Sequence, residues 1–487
     1  MHRFVFMFLL MFAAPAFASD WPQWRGPNRD GVAPDSPPLN RLTTDTGLAP
    51  AWVSEAIPSS GNGGWGSPVV ADGKVYLFVH SKVRKAGENL GRPKFPWLPP
   101  EKRGHLTPAE YDDYEKNRRD EDQARAKIEQ FFETLYCLSL DTGKTLWKKQ
   151  VSSVYSRFVQ SGTPVVVDDR VYVLGAGRMA RCFDAKTGEE LWSKRLPGDY
   201  RDEFMMSSFA VADGVAAVLA GSLFALDAKT GDIRWEGDKK QTSGTHSSPA
   251  VWTHEGFTFF IANVAGATAC FEARSGVEMW RVKSQASQST PIVSGNLLLT
   301  YGSSRRGGLR CYKLIPGEAA EELWTYTGAS DPGSSPVIVA GHVYVQGERT
   351  LACVDLKTGD EKWQTELKHD DPRYTSLIAA DGKVLYACEG LLWFAAEPAK
   401  FTPLLDLKMD DTGVIATADV HRKRLNLDEL KAQPDGEKKA EQLYRSKVER
   451  QGPLKCSSPA IVDGRLIVRL KDGLVCYELT DRKQASR

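Results

Sequence analysis

Tryptophan returns along this chain at a nearly constant interval. Trp147, Trp192, Trp235, Trp280, Trp324 and Trp363 are separated by 45, 43, 45, 44 and 39 residues. The text before each one repeats as well. Leu135-Tyr136-Cys137-Leu138 leads to Thr142-Gly143 and Trp147, and Arg181-Cys182-Phe183-Asp184 leads to Thr187-Gly188 and Trp192. Phe224-Ala225-Leu226-Asp227, Ala269-Cys270-Phe271 and Ala352-Cys353-Val354-Asp355 lead in the same way to Trp235, Trp280 and Trp363. The unit at Cys311 keeps Trp324 but has a longer, irregular turn. A fixed period of this length marks a repeat architecture and overrides any domain count taken from length.

Upstream of each turn lies a second module of small hydroxyl residues, an apolar strand, a turn and another strand. Ser67-Pro68, Thr163-Pro164, Ser248-Pro249, Ser335-Pro336 and Ser458-Pro459 open such modules. Each repeat therefore holds four short strands, a to d, with turns at a–b and c–d. Strand a starts eight times, near Ser67, Thr163, Ser208, Ser248, Thr290, Ser335, Ser376 and Ser458. The expected fold is all-β: an eight-bladed β-propeller of four-stranded antiparallel blades. The last repeat ends after Cys476-Tyr477-Glu478-Leu479 without its Trp strand, and Ala51-Trp52-Val53 carries that strand at the other end of the chain. The N-terminal strand is thus expected to close the ring, which removes an open edge. With Trp52, the blade Trp residues are expected to wedge between neighbouring blades. By area each contributes on the order of 4–6 kcal/mol as an upper bound. The repeat near Ser376 is degenerate, with Phe401 and Leu404 but no Trp at the expected place.

The chain of 487 residues starts with an apolar run, Phe4 to Ala14, followed by Ala16-Phe17-Ala18. This reads as a cleaved signal peptide over residues 1–18. The run is too short for a permanent span, and no Cys near it offers a lipid anchor. The expected organisation is an extension at 19–50, the propeller at 51–480 and a tail at 481–487. The location is the periplasm or the exterior, with no stable membrane insertion. Net charge is +1, and loss of Arg3 with the leader gives 1 − 1 = 0. A neutral chain has no electrostatic footprint for nucleic acid.

Six of the eight cysteines lie on strand c of different repeats and read as small buried hydrophobes: Cys137, Cys182, Cys270, Cys311, Cys353 and Cys476. Cys388 ends a strand b and Cys456 precedes a strand a, which places both on one face, where a disulfide can form. No C-x-x-C pair offers a zinc or haem site. Gly61-Asn62-Gly63-Gly64-Trp65-Gly66 matches G-x-G-x-x-G but precedes a strand instead of opening a helix, so it reads as a loop. There is no H-E-x-x-H and no G-x-S-x-G, and neither catalytic nor metal-ligating residues can be assigned.

The Asp-x-x-Thr-Gly-x-x-x-Trp style of repeat resembles the pyrroloquinoline-quinone (PQQ) propeller repeat, shared by quinoprotein dehydrogenases and the outer-membrane assembly scaffold BamB. The opening Trp21-Pro22-Gln23-Trp24-Arg25-Gly26-Pro27-Asn28 with Asp30-Gly31 is similar to secreted PQQ-like β-propeller repeat proteins of planctomycete-type bacteria. The resemblance spans residues 20–479 and implies fold far more than function. A quinoprotein oxidoreductase would imply PQQ with Ca²⁺ at the channel mouth, two adjacent cysteines and carboxylate or amide ligands. The closest Cys spacing here is 20, from Cys456 to Cys476, and no carboxylate can be matched.

Two insertions fall on one face of the expected disc, at 81–134 and 402–454. In the first, Thr107-Pro108-Ala109-Glu110 is a capping box, and Tyr111, Tyr114, Ile128, Phe131 and Phe132 fit a helical stripe. In the second, Asn426 and Asp435 read as N-caps, with a helix from about Gly436 to Arg450. The channel mouth on that face is expected to gather the strand-a hydroxyls with Trp65, Arg157, Arg201, His246, Gln288, Arg373 and Lys455 as ligand-binding candidates. The leading expectation is a monomeric, non-enzymatic envelope scaffold without a cofactor. Its partner would be a protein, peptide or glycan, in a BamB-like role. The alternative is the quinoprotein oxidoreductase.

Overall fold

The Asp-x-x-Thr-Gly turn sets the geometry of each blade. Asp184 Oδ1 accepts the N–H groups of Lys186 and Thr187, and Asp227 and Asp355 repeat the pattern. Gly188, Gly231 and Gly359 follow in the left-handed region at φ +73°, +77° and +78°, which glycine occupies without steric cost. The turn sends strand d back along strand c, and a bulge recurs where d begins.

The computed structural model describes residues 20–481 apart from 43, 86, 88–90, 161, 201–203, 287, 303–305 and 369–373. Eight antiparallel sheets of the expected order form the blades. The first is built from Val69–Ala71, Lys74–Arg84, Glu129–Ser139 and Thr145–Ser152. The eighth holds Ala460–Val462, Arg465–Leu470 and Gly473–Glu478, and its outer strand is Trp52–Val53. Trp52 pairs with Cys476, so the ring closes through the N-terminal strand. The proposed leader and residues 482–487 of the tail lie outside the described residues.

The Trp residues of strand d seat on the next blade. A Cβ added to Gly143 would meet the Trp52 ring at 2.4 Å; at Gly188, Gly231 and Gly276 it would meet Trp147, Trp192 and Trp235 at 2.5–2.6 Å. The glycine of each turn is therefore needed twice, for its backbone angle and for the indole resting on it. Several indoles also donate to a backbone carbonyl of that blade, as Trp52 Nε1 does to Leu140 O at 2.7 Å and Trp235 Nε1 to Ala273 O at 2.9 Å. Within its own blade each of these Trp residues faces a small residue on strand c. Cys137, Cys182, Cys270, Cys311, Cys353 and Cys476 stand opposite Trp147, Trp192, Trp280, Trp324, Trp363 and Trp52. All six thiols are buried, and burial raises their pKa.

Both insertions are shorter than expected, because the flanking strands run on into them. Strand b of the first blade extends to Arg84 and strand c begins at Glu129. The capping box forms, and the helix spans Pro108–Arg125. Phe131 and Phe132 do not continue its stripe. They lie on strand c opposite Lys82 and Ser81, since cross-strand pairing with the long strand b captures them. In the seventh blade strand d is Pro403–Met409. Helices Ala418–Arg424, Leu427–Lys431 and Gly436–Tyr444 follow. Asn426 and Asp435 occupy the N-cap positions in left-handed conformation without a side-chain cap bond.

Candidate functional site

Strand a lies innermost in each blade, so the N–H that opens it has no neighbouring strand to accept it. A buried N–H needs a partner, and the hydroxyl at the start of the next blade supplies one. Ser67 N–H donates to Thr163 Oγ1, Thr163 to Ser208, Ser208 to Ser248 and Ser248 to Thr290, at 2.9–3.1 Å. Thr290 then donates to Ser335, Ser335 to Ser376, and Ser458 to Ser67, at 2.9–3.3 Å. Seven of the eight joints between blades are thus stitched around the channel by a ring of buried hydroxyls.

Beneath this ring the N-terminal segment crosses the channel. Trp21 exchanges two backbone hydrogen bonds with Val70 of the first blade, and Pro22 O accepts from Val166 of the second. At the other side Val32–Ala33 pairs in parallel with Ala379 and Ala380 of the seventh blade. Between these anchors Arg25 Nη2 donates to Pro336 O and Leu377 O, and Arg29 Nη2 to Phe209 O and to Gln23 Oε1. Those three backbone carbonyls belong to the residues just after ring hydroxyls. Gly26 and Gly31, at φ +83° and +82°, allow the tight loop; a Cβ on Gly31 would meet Arg25 Nη2 at 2.5 Å. The run from Trp21 to Gly31 is therefore a plug, and the channel mouth is a closed cup.

The cup has a volume of about 70 Å³. Trp24 forms its floor, and the ring hydroxyls of Ser67, Thr163, Ser208, Ser248 and Thr290 line it with Trp65, His246, Gln288, Tyr374 and Cys456. Phe204 packs edge-on against Trp65 and His246, with ring centroids 5.9 and 5.7 Å away. Burial lowers the His246 pKa, and its Nδ1 lies 2.8 Å from Thr245 Oγ1. The buried Gln288 Oε1 has no hydrogen-bond partner. Asp331, unremarked in the sequence, orders the rim: its Oδ1 accepts from Gly333, Ser334 and Tyr374 N–H. The Asp331-Pro332-Gly333 turn text was the signal available for it.

The expected site residues divide among three cavities. Trp65, His246 and Gln288 meet in the cup. Lys455 lies in a neighbouring cavity of about 800 Å³ under the second insertion, paired with Glu389 at 3.3 Å. Trp65 and Cys456 line both cavities, and Cys388 lines the larger one. Arg157 does not face the cup. It pairs with Glu115 at 3.3 Å and with Asp122 at 4.0 Å on the first insertion's helix, beside a cavity of about 270 Å³. Two carboxylates on a helix packed nearby outweigh a neutral channel as partners for its charge. Arg201 and Arg373 lie outside the described residues.

A quinone with its calcium ion would need oxygen ligands at the cup. Calcium takes six to eight oxygen ligands, carboxylates prominent among them. No carboxylate occurs among the described residues lining the cup, and among the described residues no group of three His, Cys, Asp or Glu side chains could hold a metal ion. The volume is also small beside the ~300–1,000 Å³ of ordinary cofactor sites. The donor set does not fit that group.

A family signature described as "Outer membrane protein assembly factor BamB" matches residues 122–321. BamB from Salmonella typhimurium is 24% identical over 371 residues, which cover 70% of this chain and 89% of that protein. The serine/threonine-protein kinase AfsK of Streptomyces coelicolor is 28% identical over 157 residues, and the match spans only 18% of the kinase. Among solved structures, quinohemoprotein alcohol dehydrogenase from Comamonas testosteroni matches with a TM-score of 0.54 at 12% identity, over 95% of this chain and 81% of that one. At that identity the likeness concerns the fold alone. The chain is an eight-bladed β-propeller, similar in sequence over part of its length to the BamB assembly factors and in fold to a quinohemoprotein alcohol dehydrogenase.

Proposed function

We propose that this protein is a non-enzymatic scaffold of the cell envelope that presents one face of its disc to a protein, peptide or glycan partner. The observation that carries the reading is the plug. With Trp24, Arg25 and Arg29 filling the channel, what remains on the insertion-bearing face is a shallow cup flanked by two cavities beneath the insertions. Irregular segments on a rigid scaffold are where partners bind. Similarity to the BamB assembly factors supports a role in outer-membrane assembly. The expected leader supports export, and among the described residues no helix is long and apolar enough to cross a membrane.

Affinity capture from envelope extract tests the proposal. The full chain is expected to retain a partner that is lost when residues 86–126 are replaced by a short turn. Retention by both proteins, or capture by neither, overturns it. The quinoprotein alternative shares this fold, which does not by itself carry an activity. Titration with PQQ and Ca²⁺ is expected to give no saturable absorbance change.

A further inference from the structure

We infer that the cup is an anion site built for a single carboxylate. The inference deepens the scaffold reading by naming the chemistry its cup accepts, and it rests on that reading only where the carboxylate is carried by the partner.

Three observations converge. First, seven of the ring hydroxyl oxygens accept N–H bonds from neighbouring blades, and among the described residues these hydroxyls donate none. A hydroxyl carries one donor, so the cup is lined by O–H groups with their protons unspent. Second, two guanidinium groups lie buried directly beneath. Arg25 and Arg29 are 0% and 3% exposed. Arg25 Nε and Nη1 and Arg29 Nη1 have no hydrogen-bond partner. Among the described residues, Asp30 is the carboxylate that acts on Arg25, and burial dominates at Arg29. Burial pulls the two down to about 10 and about 9, the mark of charge held without full compensation. Third, the described lining holds no carboxylate, and the rim carboxylate of Asp331 is occupied by the N–H groups of Gly333, Ser334, Tyr374 and the Gln346 side chain.

Charge and size select the ligand. The two buried guanidinium groups favour an anion over a neutral ligand. A cavity of about 70 Å³ admits a three-atom headgroup but no ring system. Neutral donors at the contact layer, with charge one layer below, resemble the way oxyanions are held elsewhere by preorganised dipoles. The carboxylate can come from a free small acid or from an acidic side chain of the partner.

The test uses the full chain with ¹³C-labelled acetate, its neutral isostere acetamide, inorganic phosphate, and a short capped peptide containing one Glu. Acetate linewidth and calorimetry are expected to show saturable binding that acetamide does not displace. Ser248→Ala, which removes one donor, is expected to weaken acetate about tenfold, equivalent to ~1.4 kcal/mol. Gln288→Leu, outside the stitched ring, serves where Ser248→Ala fails to fold, and is expected to tighten acetate by removing an unpaired acceptor. Tighter binding of the Glu peptide than of acetate assigns the carboxylate to the partner; the reverse assigns it to a free acid. The inference is overturned if acetamide competes equally, if phosphate binds more tightly than acetate, if neither acetate nor peptide binds, or if the folded variants bind as the parent does. Loss of the captured partner on replacing residues 86–126, with acetate binding intact, would separate the scaffold reading from this one.

Discussion

Trp393 and Leu405 face each other across strands c and d of the seventh blade, in the reverse order of Cys137 and Trp147 in the first. The large residue has moved to strand c, where it is fully buried, and the smaller one stands on strand d. The blade keeps one indole in the pair but loses the strand-d Trp that would seat on its neighbour. Leu405→Trp alone sets two indoles opposite each other, and overpacking of this kind costs about 1–3 kcal/mol. Adding Trp393→Cys is expected to recover most of that. Urea midpoints across the double-mutant cycle measure the coupling.

Gly231 and Gly256 have nearly the same backbone angle, φ +77° and +81°, but different surroundings. A Cβ on Gly231 meets Trp192 at 2.6 Å, while one on Gly256 meets nothing within 4 Å. Gly256→Ala is expected to cost about 1–2 kcal/mol, the strain of the left-handed region alone. Gly231→Ala is expected to cost about 1–3 kcal/mol more, because the indole must leave its seat. Equal losses in thermal melts would contradict the seating role.

The turn carboxylates predict acid sensitivity. Asp184 is held below its ordinary range chiefly by the Thr187 N–H, Asp355 by the Thr358 N–H, and Asp227 is pulled to about 2 by Arg234. A depressed folded pKa adds stability that is fully present above the unfolded value, about 3.9, and is lost as pH falls through the folded value. Melting temperature is therefore expected to drop between about pH 4 and pH 2. Asp227→Asn is expected to flatten that drop.

Trp21 is 1% exposed and anchors the plug. Trp21→Ala is expected to cost about 3–5 kcal/mol. A local signature should accompany the loss: faster amide exchange at Val70 and Val166, whose acceptors are Trp21 O and Pro22 O.

Cys388 and Cys456 line one cavity, on the shared face where the sequence allows a disulfide between them. Non-reducing peptide mapping of protein purified from an oxidising compartment is expected to find these two peptides linked and the six strand-c thiols unlinked. Linkage of any strand-c cysteine would overturn that assignment.

The ring was legible because its signal is repeated: the Thr-Gly turn, the Trp and the strand-a hydroxyl recur often enough to set blade number, strand order and closure by Trp52. The cup was half legible. Trp65, His246 and Gln288 lie near strand-a starts, and the period places them at the mouth. Arg157 misled because nothing local to it shows that Glu115 and Asp122 fold back to meet it. The plug was hidden for a related reason. Residues 20–33 occur once, without period, and their partners Val70, Phe209, Pro336 and Ala379 are scattered along the chain. Phe131 and Phe132 fitted a helix by spacing, and only the length of the strand opposite them decides otherwise.

Closure by Trp52 also orders events in time. The plug and the closing strand leave the ribosome well before Leu377, Ala379 and Cys476, which they must meet. Until then Arg25 and Trp52 lack their final neighbours, and the first blade has an uncovered flank. Such exposure invites mispairing between blades. The buckle of the ring is thus its latest-forming part, and a chain stopped short of Cys476 is expected to keep its middle blades while its first one frays.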